Sequence, residues 1–380
     1  MATIERRSLM PIAADAQGEA LSTGTRRAIT AWLLVTAAAV LIMAVIGAIT
    51  RLTGSGLSMV EWRPLIGAIP PLTDAEWQRV FDLYRQSPEY RVVNAGMSLD
   101  DFKFIFFWEW FHRLWGRMIG VIFAVPLAFF WLTGRLNGRL KWALSGLLVL
   151  GALQGVMGWV MVMSGLVDRP SVSHYRLAAH LGLAFAVFGL LLALALSVLR
   201  GQRRIGVDET GLLGHAWTAL ALLSITIVYG AFVAGMDAGL SYNTFPLMQG
   251  RILAGDALAY SPLWVNFFEN MAMVQFVHRW LAVGTGIVII ALWWRGRTRP
   301  LNSASRTALG LSAATVAVQI ALGITTLLLV VPLTIATLHQ AVAFVLVGAL
   351  VWTVFELTHD RTAMLAHTVA DHAAPATRAV

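Results

Sequence analysis

Cysteine is absent from all 380 residues. That excludes disulfides, thiolate metal sites and any prosthetic group attached through a thioether. Charge is also scarce. Only 13% of residues are Asp, Glu, Lys or Arg, against 58% hydrophobic, and the mean hydropathy is +0.71. Soluble domains average about 25% charged residues, so the shortfall excludes an ordinary soluble protein. Ten-residue segments of alternating polarity are missing too, which excludes a membrane β-barrel.

What is present is a set of long apolar runs. A spanning helix needs about 20 mostly apolar residues. Eight such runs lie near 30–50, 104–133, 142–167, 174–199, 212–235, 270–294, 307–331 and 333–355, and the run 142–167 contains no charged residue at all. The expected fold is an all-α integral membrane protein, because in lipid only helices and closed barrels satisfy their own backbone. The first 28 residues show no cleavable signal pattern. Residues 1–28 and 358–380 read as polar, Ala-rich tails outside the packed spans.

The net charge of +8 does not call for a nucleic-acid partner. With the N-terminus placed inside, the inner segments carry 16 basic and eight acidic residues, and the outer segments nine basic and eleven acidic. This asymmetry follows the positive-inside rule. It puts both termini in the cytoplasm, with the chain in a bacterial inner membrane (or in the matrix if the source is mitochondrial). The basic surface then faces lipid headgroups.

The two halves resemble each other. Gly47-Ala48 and Gly56-Leu57-Ser58 recur as Gly230-Ala231 and Gly239-Leu240-Ser241, offset by 183. His112-Arg113 recurs as His278-Arg279, offset by 166, Gln154 and Gly158 as Gln319 and Gly323, offset by 165, and His180 as His339, offset by 159. The ordered series implies two four-helix units, 29–199 and 212–357, joined by an inner linker at 200–211. With an even number of spans in each, they are related by an axis along the membrane normal.

Four histidines lie within these spans: His112, His180, His278 and His339. All fall on spans that run from outside to inside, six to nine residues below the outer start. At about 1.5 Å per residue they share a depth of roughly 9–14 Å. An intramembrane histidine is a functional candidate by default, although a single one can equally be a hydrogen-bonded packing residue. Four at one depth, repeated between halves, fit axial ligands better, paired as His112 with His180 and His278 with His339. Zinc or another non-haem metal is the competing reading. One nearby carboxylate among four imidazoles suits haem better than a hard-metal site. His174, His215, His359, His367 and His372 sit at helix mouths, ends or tails and read as solvated or structural.

The halves differ around their histidines. Glu109 lies one turn before His112 on the same helix face, whereas the matching residue before His278 is Gln275; Arg117 likewise matches Val283. A carboxylate beside one histidine pair points to proton movement or stabilisation of positive charge there. An ion pair with an arginine is the plain alternative. Chemistry is therefore expected at the first pair and a resident cofactor at the second. Arg113 and Arg279 each follow a histidine by one residue, about 100° around the helix. They are expected either at haem propionates or in helix–helix hydrogen bonds and snorkelling.

Taken together, RLTGSGLSMVEWRPLIGAIPPL, EWFHR, YRLAAHLG, GLSYNTFPLMQGR, VQFVHRWLA and ATLHQA make the chain resemble the haem A synthase family over nearly all of residues 29–356. The resemblance implies oxidation of a methyl group of haem O to a formyl group, stepwise through an alcohol and a hydrated aldehyde. It implies that His112 and His180 flank the haem O substrate, that His278 and His339 ligate a haem b that relays electrons, and that Glu109 is the family's important acidic residue. Implied partners are a haem O synthase, a terminal oxidase assembly and an electron acceptor not identified by any residue here. Many bacterial relatives carry a cysteine pair in the first outer loop. This chain has none, so no thiol role carries over. The rivals are a non-enzymatic di-haem b electron-transfer subunit and a haem transporter or chaperone.

Overall fold

The structure, a computed structural model, describes residues 21–61, 66–136, 138–166, 171–200 and 211–359. The tails 1–20 and 360–380 and the linker 201–210 lie outside the described residues, as do His367 and His372. Among the described residues eight helices are long and apolar enough to cross a membrane. In chain order with the shorter helices they are α1 Thr23–Leu52, α2 Asp74–Tyr84, α3 Pro88–Val92, α4 Leu99–Leu132, α5 Gly138–Leu166, α6 His174–Arg200, α7 Leu212–Gly235, α8 Asn266–Glu269, α9 Met271–Arg297, α10 Ser303–Leu328 and α11 Leu333–His359.

Polar caps set where the spans begin. The side chains of Ser22, Ser98, Asn270 and Asn302 accept from backbone N–H groups in the first turns of α1, α4, α9 and α10, satisfying donors that a helix start leaves open. Because of the Ser22 cap, α1 takes in residues 23–28, which the hydropathy pattern assigns to the tail. At the other end α11 runs on to His359, past the expected boundary at 357.

The helices of each half pack on one another, and α6, α7, α1 and α11 meet where the halves join. Leu191, Leu212, Phe344 and Leu350 are essentially inaccessible in that shared core. Phe185 of α6 stacks on Phe344 of α11, ring centres 3.8 Å apart and planes 19° off parallel. At the C-terminal ends of α6 and α11 Arg200 reaches Glu356 at 2.5 Å, and Trp352 Nε1 donates to the same carboxylate at 2.9 Å. Glu356 has no exposed surface. A charge so buried is kept only by such partners.

The first outer segment is more ordered than its reading as a loop. Thr73 and Ser87 cap α2 and α3. Phe81 and Tyr84 of α2 pack with Phe102, Ile105 and Phe106 at the top of α4, closing a small aromatic core over the outer end of the bundle. Tyr84 stacks on Phe102, donates to Glu89 at 3.0 Å and accepts from Asn94 at 2.7 Å.

Glu89 is 7% exposed, and burial pushes its carboxyl up to about 7, against the hydrogen bond from Tyr84 and with a smaller push from the charge of Glu109. The folded cap thus binds this proton more tightly than the unfolded chain. The stability this group contributes is full below an unfolded value of about 4.3 and is lost as pH rises through 7, by roughly 4 kcal/mol. Glu89→Gln, which cannot ionise, should flatten this loss. Thermal unfolding between about pH 5 and pH 8 checks it; parallel curves for variant and parent would reject the assignment.

Candidate functional site

Each of the four intramembrane histidines lies against a glycine of a neighbouring helix. A methyl group on Gly47 of α1 would sit 3.2 Å from His112 Nε2, and one on Gly158 of α5 would sit 3.0 Å from His180 Cε1. In the other half, a methyl on Gly230 of α7 would fall 2.9 Å from His278 Cε1, and one on Gly323 of α10 2.9 Å from His339 Cε1. At Gly230 and Gly323 a Cβ would force the ring to shift, and at Gly47 and Gly158 it would press on it, so glycine lets each imidazole lie close against backbone. All four are among the glycines that recur between the halves. The repeat therefore carried the signal, but the helix spacing alone does not say that these glycines face the rings.

Within each half the two histidines come close enough for a charge on one to act on the other: His180 on His112, and His278 on His339. Their remaining ring atoms are only partly satisfied. His278 Nδ1 lies 3.1 Å from the carbonyl of Thr226. That bond fixes the proton on Nδ1 and leaves Nε2 with a lone pair for a metal. Gln319 Nε2 approaches His339 Nδ1 at 3.2 Å. Gln154 Nε2 donates to the His180 carbonyl at 3.0 Å and lies 3.4 Å from its ring. His180 Nδ1, Gln154 Oε1 and Gln319 Oε1 are buried without a hydrogen-bond partner. Buried polar groups are rarely left without a partner, so each of these calls for a physical explanation. Among the described residues no three of His, Cys, Asp and Glu converge as a metal cluster. The donors come in twos, which suits axial ligation of a flat macrocycle and not a tetrahedral zinc site.

Glu109 is 3% exposed and fully engaged. Its Oε2 accepts from Ser58 Oγ at 2.7 Å and from the Met59 N–H at 2.6 Å, and its Oε1 pairs with Arg113 at 2.5 Å. The sequence places it one turn from His112. The structure adds that it is clamped by the Gly-Leu-Ser segment after α1. Gln275 is clamped by the matching segment after α7 in the opposite sense, donating to the carbonyls of Ala238 and Tyr242. The first site thus holds an acceptor where the second holds a donor.

Arg113 and Arg279 direct their guanidinium groups into these outer segments. Arg113 donates to the carbonyls of Met59 and Glu61 besides its bond to Glu109. Arg279 donates to the carbonyls of Tyr242, Thr244, Pro246 and Leu247, with Nε left unpartnered. The sequence offered propionates or helix–helix bonds for them. The carbonyl cages were not visible, because a backbone acceptor has no residue identity. Of the remaining histidines, His174 meets the Phe268 carbonyl, His215 the Val288 carbonyl and Arg295, and His359 the Phe355 carbonyl.

Eight helices long and apolar enough to cross a membrane, with four glycine-backed imidazoles and one clamped carboxylate among them, define a polytopic membrane protein. The family described as cytochrome oxidase assembly protein, COX15-CtaA, matches residues 30–351. Haem A synthase of Rhodospirillum centenum is 52% identical over 348 residues, 91% of this chain and 93% of the relative. Haem A synthases of Parvibaculum lavamentivorans and Nitrosospira multiformis are 50% and 48% identical over 87% of this chain and 94% of each relative. The chain belongs to the COX15-CtaA family.

Proposed function

We propose that this protein is a haem A synthase, a membrane oxidoreductase that converts a methyl group of haem O into a formyl group. The observation that carries the assignment of chemistry to one half is the contrast between Glu109 and Gln275 on otherwise matched histidine sites. His112 and His180 hold the substrate haem O, and His278 and His339 hold a haem b. The glycine cradles and the orphaned ring and amide atoms support that fit. The four-helix halves are duplicates related about the membrane normal, in a bacterial inner membrane with both termini in the cytoplasm.

When bound, haem b supplies a route for electrons out of the substrate site. The protein's own residues do the rest. Glu109 is held in place by Ser58, Met59 and Arg113 at the outer end of the substrate half. There it opposes positive charge developing on the carbon being oxidised and takes up or returns protons. The Thr226 carbonyl fixes the tautomer of His278. Arg113 and Arg279 hold the outer segments down over the two sites, and the free Arg279 Nε is the donor left for a propionate. Haem O synthase and a terminal oxidase assembly are the partners on either side of the reaction.

Expression with a haem O source, followed by extraction and chromatographic separation of the haems, tests this. A formyl-bearing haem together with haem b is expected. Two equivalents of haem b and no formyl product would identify a di-haem electron carrier instead. Reversible loading without oxidation would identify a transporter.

A further inference from the structure

The clamp on Glu109 opens on its other side into a chamber. Ser58 and Met59, which bind the carboxylate, also form part of the wall of a cavity of about 270 Å³ in the outer cap. Val80, Leu83 and Phe106 line it too, and Glu61, Glu76 and Arg79 give it a charged side, with Arg79 3.0 Å from Glu61. A void with polar partners can hold water when it offers more than about 15 Å³, so this one has room for several molecules. Ser58 itself is 1% exposed. Its single hydroxyl proton has three acceptors within reach: Glu109 Oε2 at 2.7 Å, the Ser55 carbonyl at 2.9 Å and the Ile105 carbonyl at 3.3 Å. A hydroxyl donates once, so it can serve only one of the three at a time.

We infer that Ser58 is the proton conduit between Glu109 and water in the outer-cap chamber. The inference rests on the reading of Glu109 as the acidic group of haem O oxidation. The transfer balances without any redox change. A proton passing from the Glu109 carboxyl to Ser58 Oγ displaces the serine's own proton to chamber water, and the reverse order reloads the carboxylate. No electron travels this way. Arg113 holds the wall in place, since it bonds the carbonyls of Met59 and Glu61 while pairing with Glu109.

Ser58→Ala should slow formyl production about 10- to 100-fold, with the haem absorption spectra unchanged. Formate, small enough for the chamber, should restore the rate. Val80→Phe, or Leu83→Phe if the first does not fold, should fill the chamber and abolish that rescue in the double variant. Full activity of Ser58→Ala, or a loss that formate leaves untouched, overturns the conduit. Should the parent make no formyl haem, the function reading fails, and hydrogen–deuterium exchange over residues 58–60 in the purified protein decides the conduit alone. Slower exchange in Val80→Phe than in the parent supports a water-filled chamber reaching the Glu109 clamp; unchanged exchange rejects it.

Discussion

Glu109→Gln is expected to stop formyl production, by on the order of 100- to 10,000-fold, while both haem absorption signatures stay in place. The second half provides the reason to expect intact folding, because Gln275 occupies the matching position and is accommodated by the matching outer segment. An amide at 109 can still accept from Ser58 and from the Met59 N–H. What it cannot do is carry charge or exchange a proton. Arg113 loses its ion pair but keeps the carbonyls of Met59 and Glu61. The measurement is product haem per enzyme by chromatography, beside an absorption spectrum of the same preparation. Activity near that of the parent would remove Glu109 from the chemistry. Loss of haem along with activity would make it a structural residue.

His278→Ala is expected to remove the b-type haem altogether. The helix itself should survive. Asn270 still caps α9, and the hydroxyls of Thr226 and Thr285 still meet at 2.9 Å between α7 and α9. Gly230→Ala is the finer version of the same experiment. Its Cβ would press on the ring at 2.9 Å, and overpacking of this kind costs about 1–3 kcal/mol, which is roughly 5- to 150-fold in haem retention. Reduced-minus-oxidised spectra with quantified haem read both variants. A six-coordinate b-type spectrum in His278→Ala would exclude His278 as a ligand. Unchanged retention in Gly230→Ala would mean that the ring turns away from the glycine when haem binds.

The membrane spans were legible because their signal is redundant. Every one of the eight rests on twenty or more residues, and the helices differ from the hydropathy runs only by a few residues at their ends, as where the Ser22 cap extends α1. The histidines were legible because depth and repetition are both written in residue numbers. The glycine cradles were half legible: Gly47 and Gly230 stood in the repeat, yet which atom they face depends on how α1 and α7 are rotated, and rotation is a tertiary property. The outer cap was missed. Its helices α2 and α3 are short and polar on one side, and they close over Phe102, just before the apolar run, and Phe106, which hydropathy assigns to the lipid. The carbonyl cages around Arg113 and Arg279 were also beyond reach, since their acceptors are main-chain oxygens that any sequence supplies.

The clasp between Arg200 and Glu356 bears on how the molecule is assembled. Its partners stand 156 residues apart, and the carboxylate belongs to the final span. Seven of the eight candidate spans therefore precede the carboxylate in the chain, and only when α11 enters does the Arg200 cation acquire this anion. Glu356 has no surface of its own on which to wait. The last span is consequently the keystone of biogenesis, and fragments split at the linker will each carry one half of an unmatched pair.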